Sequence, residues 1–276
     1  MIFRQHIPGP PLADYVAWFW FYKDYVPDHS REHVLPDGSF ELIINLEERP
    51  RKLFDRADPA RYTAFKRGWI SGAHSEYLVI DALPASSMIG IHFKPGGIAP
   101  FLGPSADELR NRVVELDALW GMAVWDWRDR LLATPSPAAK FALLEQLLLR
   151  KLAQSQFSSR GARAVRRALG RFVDQPDVQR IGTAVEESGL SHKHFIAKFT
   201  RQVGMTPKLF CRILRFQQVL KQIGNRNSVD WADVALRCGY YDQSHFINDF
   251  SAFSGVNPRE YLGYRLEYPN FIRADD

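Results

Sequence analysis

Two stretches of the chain carry side chains suited to reading a nucleic-acid groove, and they are copies of one another. The pattern His-Phe-Ile-x-x-Phe-x-x-x-x-Gly-x-x-Pro occurs as His194, Phe195, Ile196, Phe199, Gly204 and Pro207, and again 51 residues on as His245, Phe246, Ile247, Phe250, Gly255 and Pro258. Six identities in a 14-residue frame mark one supersecondary unit present twice. Phe195, Phe199 and Val203 recur every four residues and belong to a core face. The adjoining face runs Lys193, Ile196, Ala197 and Thr200 in the first copy and Ser244, Ile247, Asn248 and Ser251 in the second. Asn248 has the donor and acceptor needed to pair with adenine, and Ile196 or Ile247 suits a thymine methyl. His192, Arg201, Lys208, Arg212 and Gln243 flank these faces and complete the candidate DNA contacts.

Each copy must be two helices and a tight turn to present such a face. In the first, Val178 to Ser188 is helical in pattern, Gly189 suits a left-handed C-cap, and Ser191 can cap a second helix that stops near Gly204. In the second, Asp230 can cap Trp231 to Cys238, Gly239 ends that helix, and Asp242 can cap the next, which stops at Gly255. Thr206-Pro207 and Asn257-Pro258 restart the chain as helices, with proline where a first-turn N–H has no partner. Between the units, Pro207 to Ile223 predicts a helix of about 26 Å at about 1.5 Å per residue. Such a spacer suits two reading heads near major grooves about 34 Å apart on one side of a duplex.

Charge follows the same division. Residues 1–153 hold 18 Lys/Arg and 19 Asp/Glu, whereas residues 154–228 hold 14 basic and 4 acidic residues, and residues 229–276 hold 4 and 8. The basic block fits a phosphate-binding surface; a solvated face or an acidic protein partner gives the same count. The two cysteines, Cys211 and Cys238, lack the spacing of a disulfide framework or a zinc site and read as buried thiols.

On these residues the C-terminal part resembles the DNA-binding domain of the AraC/XylS family of bacterial transcription regulators. Val234-Ala235-x-x-x-Gly239-Tyr240-x-Asp242-Gln243-Ser244-His245-Phe246, then Phe250, Gly255, Pro258 and Tyr261, is similar to the family signature almost position by position, and the first unit is similar but weaker. The resemblance implies an all-α domain of two helix-turn-helix units joined by a long helix, one recognition helix per unit entering the major groove of promoter DNA. It also implies RNA polymerase as a partner and a bias towards activation. Ala197 and Asn248 stand where many members carry Arg or Lys, so neither unit makes a bidentate guanine contact there. Phosphate affinity is therefore expected mainly from the basic first unit.

The first ~103 residues are strand-rich, with clear runs at 15–22, 39–46, 77–82 and 87–93, broken by Pro36-Asp37-Gly38 and Pro95-Gly96-Gly97. Helices are predicted near 105–111, 116–133 and 137–154. The fold class expected is α+β in two domains, a β-rich sandwich or barrel with trailing helices (1–153), a linker (154–159) and the helical domain (160–276). Leu35-Pro36-Asp37-Gly38-Ser39 and Gly90-Ile91-His92-Phe93-Lys94-Pro95-Gly96-Gly97 are similar to an N-terminal domain that accompanies one subgroup of these regulators, which implies sensing or dimerisation.

Six of the seven tryptophans precede residue 130, so an aromatic barrel either holds a small effector or is plain core. The apolar surface of 137–154, with Phe141, Leu144, Leu148 and Leu152, packs on its own sheet or forms a homodimer seam. His29, His33, His74 and His92 show no metal-ligand spacing, and neither metal nor cofactor is expected. Residues 1–153 contain no cysteine and no Gly-x-Ser-x-Gly elbow, which speaks against an enzyme fused to the DNA-binding part. A protein-interaction module with weakened DNA reading is the remaining alternative. No apolar run reaches the ~18 residues of a membrane span, and Met1 to Pro11 carries Arg4, Gln5 and His6, so a cytoplasmic protein is expected.

Overall fold

A computed structural model describes residues 1–155, 157, 159–176, 180–266, 268 and 270–274, the side chains of 159–161 excepted. Alternation of apolar and polar residues builds the N-terminal half. In β4 (Glu41–Asn45) Leu42 and Ile44 turn one way, and in β9 (Ser86–Phe93) Ile89, Ile91 and Phe93 do the same, all essentially without exposure. These strands lie at the centre of an antiparallel sheet that continues through β2 (Val16–Tyr25) to β1 (Ile2–His6) on one side and through β7 (Gly68–Ser71) to β10 (Val113–Glu115) on the other. The buried face receives α1 (Leu116–Trp120), α2 (Val124–Ala133) and α3 (Pro137–Ala153); Phe141 of α3 meets Phe19 with ring centroids 6.3 Å apart. Phe141, Leu144, Leu147 and Leu148 are buried there, so most of the apolar surface of α3 goes to its own sheet. The expected helix 116–133 is broken in two because Gly121 adopts φ 73°, a left-handed conformation that ends α1.

The second sheet, also antiparallel, orders β3 (Arg31–Val34), β8 (Leu78–Asp81), β5 (Arg51–Phe54) and β6 (Tyr62–Phe65). Its buried positions mix apolar and charged side chains: beside Phe65 and Val79, Arg51 Nε donates to Asp81 Oδ1 at 2.8 Å with both side chains buried, and Glu32 accepts from the Tyr25 hydroxyl and lies 2.8 Å from His29 Nε2. Residues 105–111 form only a 3₁₀ turn, Ala106–Leu109, closed by a capping box between Ser105 and Glu108.

The C-terminal half is helical, as expected, with α4 (Ser159–Asp174), α5 (Arg180–Ser188), α6 (His192–Val203), α7 (Pro207–Ile223), α8 (Trp231–Arg237), α9 (Gln243–Ser254) and α10 (Pro258–Tyr264). Val178, where the first unit's opening helix was expected to begin, lies outside the described residues, as do Gln156 and Ser158 of the expected linker. One element is not all-α: the chain ends by returning as β11 (Phe271–Ala274), which pairs antiparallel with β3 and extends the second sheet. No helix among the described residues is long and apolar enough to cross a membrane.

The two halves share one apolar core. Gly38, at φ 80° in the Pro36-Asp37-Gly38 turn, lies so close to Phe210 of α7 that a Cβ would stand 2.7 Å from its ring. Gln217 of the same helix donates to the Pro36 carbonyl at 2.8 Å.

Candidate nucleic-acid interface

The reading helices are set by their caps. Ser191 accepts from the His194 amide at the start of α6, and Gly204 closes its end at φ 89°. Asp242 accepts from the His245 amide at 2.7 Å at the start of α9, and Gly255 closes its end at φ 80°. Asp230, Thr206 and Asn257 cap α8, α7 and α10, each at the position its residue type indicates. Phe195, Phe199 and Val203 are wholly buried, as are Phe246 and Phe250 of the second unit.

With the core face fixed, the neighbouring face is where the sequence placed it. In α6, His192, Lys193 and Ala197 are exposed, while Ile196 and Thr200 are half-buried and Thr200 Oγ1 is buried with no hydrogen-bond partner among the described residues. In α9, Gln243, Ser244, Ile247 and Asn248 are exposed and Ser251 is half-buried. Lys208 is exposed in the first turn of α7.

Two of the expected contacts also have partners inside the molecule. Arg212 is held by Asp249, its Nη2 and Nε donating to Oδ1 at 2.5 and 3.1 Å, and the Asp249 side chain is only 2% exposed. That hydrogen bonding keeps the guanidinium charged against its partial burial and raises its pKa. Arg212 therefore braces α7 against α9, because a buried carboxylate would be costly to leave alone. Arg201 is exposed, but it sits on the edge of α6 that faces the N-terminal half, where its carbonyl accepts from Ser105 Oγ at 3.4 Å.

Sequence reasoning passed over α4. Ala162, Val165, Leu169 and Phe172 form its buried stripe, and arginines occupy the opposite face. Arg166 lies 3.5 Å from Asp14 and Arg171 2.5 Å from Glu187, whereas Arg163 and Arg167 are exposed and make no ion pair among the described residues. The signal was available as an i, i+3, i+7, i+10 apolar spacing. The basic block is thus partly consumed internally, and Arg163, Arg167, Lys193 and Lys208 are left facing water.

The N-terminal half grips both reading helices by their last turns. A Cβ on Gly204 would stand 3.1 Å from Phe40 and 3.2 Å from Ala73, and one on Gly255 2.6 Å from Tyr77 and 3.0 Å from His33. His33 Nδ1 also donates to the Ser254 carbonyl at 2.9 Å. These contacts fall at the same repeat position and leave the first turns of α6 and α9 uncovered.

The second unit differs in its exposed apolar groups, with Tyr241 94%, Leu236 72% and Ile247 39% accessible. Both thiols are buried, and burial pushes the Cys238 thiol up to about 11, which disfavours its thiolate at neutral pH. Among the described residues no group of three or more His, Cys, Asp or Glu is placed to hold a metal ion. His92 is stacked on Trp18 with centroids 4.0 Å apart, and His74 Nε2 lies 2.9 Å from Ser71 Oγ.

Residues 184–263 match the family described as a helix-turn-helix domain, and residues 4–115 match a domain of unknown function, DUF6597. No curated protein matches the chain. Among solved structures, an apo variant of ToxT from Vibrio cholerae strain SCE256 is 11% identical over 89% of this chain and 97% of that one, with a TM-score of 0.47. Wild-type ToxT from the same strain with an unsaturated fatty acid bound is 11% identical over 94% of each chain, TM-score 0.45. The C-terminal domain of AraT, a response regulator from Geobacillus stearothermophilus, is 20% identical over 42% of this chain and 93% of that one, TM-score 0.34.

Proposed function

From a chain that carries a DUF6597 domain followed by an AraC-type helix-turn-helix domain, we propose a sequence-specific transcription regulator whose N-terminal half (1–153) controls how the helical domain (160–276) presents its two reading helices to promoter DNA, with 154–159 as the connection. One observation supports it above the rest: both reading faces are free at their first turns, while both reading helices are gripped at their C-cap glycines by the N-terminal half. Anything that shifts this grip changes the relative placement of the heads, and DNA affinity then changes by as much as DNA prefers one placement over the other.

Direct readout falls to Ile196 and Ala197 in the first unit and to Gln243, Ser244, Ile247, Asn248 and Ser251 in the second. Lys193, Lys208 and His192, with Arg163 and Arg167, supply phosphate contacts. The exposed Leu236 and Tyr241 on an otherwise acidic unit suit a protein partner bound beside DNA, in keeping with RNA polymerase. The reading entails a cytoplasmic protein with no catalytic role.

The test is a fluorescence anisotropy titration of the full chain on the DNA upstream of its own coding sequence, against a scrambled duplex, at two salt concentrations. A preference of about a hundredfold or more with a steep salt dependence is expected. Equal, weak binding to both duplexes overturns the reading in favour of an interaction module.

A further inference from the structure

A cleft of about 880 Å³ lies between the halves, bounded by residues 99–106, the ends of α1 and α3, and one edge of α6. Its charged side chains, among the described residues, are all of one sign, beside the neutral Ser105, Gln154, Ser155 and Gln202. Lys151 comes from α3, and Lys198 and Arg201, one turn apart, come from α6; no Asp or Glu among the described residues lines it. None of the three cations makes an ion pair among the described residues, although elsewhere in the molecule Arg51, Arg128, Arg171 and Arg212 all find carboxylates. Lys151 is half-buried with its ammonium 4.2 Å from the Trp120 ring, and burial lowers its pKa. The same cleft is lined by the apolar Phe101, Leu102 and Leu119. Unpaired cations lining one cleft repel one another, and an anion bound among them removes that cost. The volume is within the range of about 300–1,000 Å³ usual for small-molecule sites.

We propose that this cleft binds a small organic anion, its charged head between Lys151, Lys198 and Arg201 and its apolar body on Phe101, Leu102 and Leu119. The inference rests on the regulator reading for its consequence: the ligand joins the N-terminal half to the same helix that carries Lys193 and Ala197, on a different edge, so it biases the placement of a reading head without covering it. Lys198 stands at the repeat position of Asp249.

The full chain, without DNA, is titrated with 8-anilino-1-naphthalenesulfonate, an anionic apolar fluorophore, and the bound dye is competed with hexanoate, phenyl phosphate, hexanol and inorganic phosphate. Saturable binding is expected, displaced by one or both organic anions, which separates carboxylate from phosphate ester, and not by hexanol or inorganic phosphate. A Lys198→Gln/Arg201→Gln double variant, with both sites exposed and unfolding temperature unchanged, weakens dye binding by at least about tenfold, and Lys193→Gln leaves it unchanged. Equal affinity in the double variant, or displacement by hexanol as effective as by hexanoate, overturns the proposal. Repeating the titration beside the duplex measurement separates the two readings: a chain that binds the anion but prefers no duplex breaks the regulator reading and keeps the site, and a chain that reads its duplex and ignores the anion does the reverse.

Discussion

The two helix-turn-helix units have the same core and opposite surroundings. Phe195 and Phe199 answer Phe246 and Phe250, and Gly204 answers Gly255, so the backbone of each reading helix is held alike. At the next position around the helix the units diverge. Lys198 in the first faces a cleft and has no carboxylate among the described residues, whereas Asp249 in the second is buried against α7 and paired with Arg212. The difference teaches that a repeat preserves what packs inside the unit and is free to vary where its neighbours differ. The first unit meets another domain there, and the second meets its own connecting helix.

Removing the internal brace should have the largest effect. Asp249→Ala leaves a half-buried guanidinium without its partner and is expected to cost about 2–3 kcal/mol, less than the roughly 3–5 kcal/mol of a fully buried pair because a third of Arg212 still meets water. Urea unfolding of Asp249→Ala, Arg212→Ala and the double variant measures the coupling. The same change at the equivalent position, Lys198→Ala, should stay within about 0.5 kcal/mol of wild type. Equal costs at 198 and 249 would break the comparison.

The C-caps sharpen it next. Gly255→Ala must place a Cβ against Tyr77 at a left-handed φ and is expected to cost about 2 kcal/mol, while Gly204→Ala, with neighbours at 3.1 Å and beyond, should cost about 1 kcal/mol, both read from thermal unfolding. Anisotropy separates the reading faces. Asn248→Ala should weaken the specific duplex about tenfold and leave a scrambled duplex unaffected. Lys193→Gln should weaken both a few-fold and reduce the slope of log K against log salt by about 1.

The smallest effect concerns the turn that meets α7. Burial disfavours charge on His92, but Asp37 at 3.3 Å and Glu41 at 3.6 Å outweigh it and raise its pKa. That stabilisation is complete below the unfolded value of about 6.5 and is lost as pH rises through the folded one. His92→Gln should therefore destabilise the protein at pH 5.5 and converge on wild type at alkaline pH. His74 acts in the opposite sense: burial lowers its pKa to about 4, so wild type loses stability as pH falls from about 6.5 towards that value, and His74→Gln should flatten the loss.

Local chemistry makes the reading heads legible in the sequence. Thr206 with Pro207 and Asp242 with Gly255 delimit α7 and α9 because a cap and a left-handed glycine act within four residues of backbone. The short strands β3 and β5 were not legible, since each buries a charge, Glu32 or Arg51, whose partner lies on another strand, and this erases the apolar alternation. The fate of the flanking cations was equally hidden. Arg212 and Arg201 look alike in sequence, yet one finds Asp249 across a helix interface and the other a cleft.

The amino-acid sequence by itself determined two capped helix-turn-helix units, their core faces and the side chains beside them, because helical periodicity and capping depend only on near neighbours along the chain. Tertiary structure alone decided that β11 returns to β3, that the N-terminal half grips both reading helices at Gly204 and Gly255, and that Lys151 joins Lys198 and Arg201. Those outcomes depend on burial and charge balance between residues as much as about 240 positions apart, as for Arg31 and Ala274, and no local pattern encodes such partners.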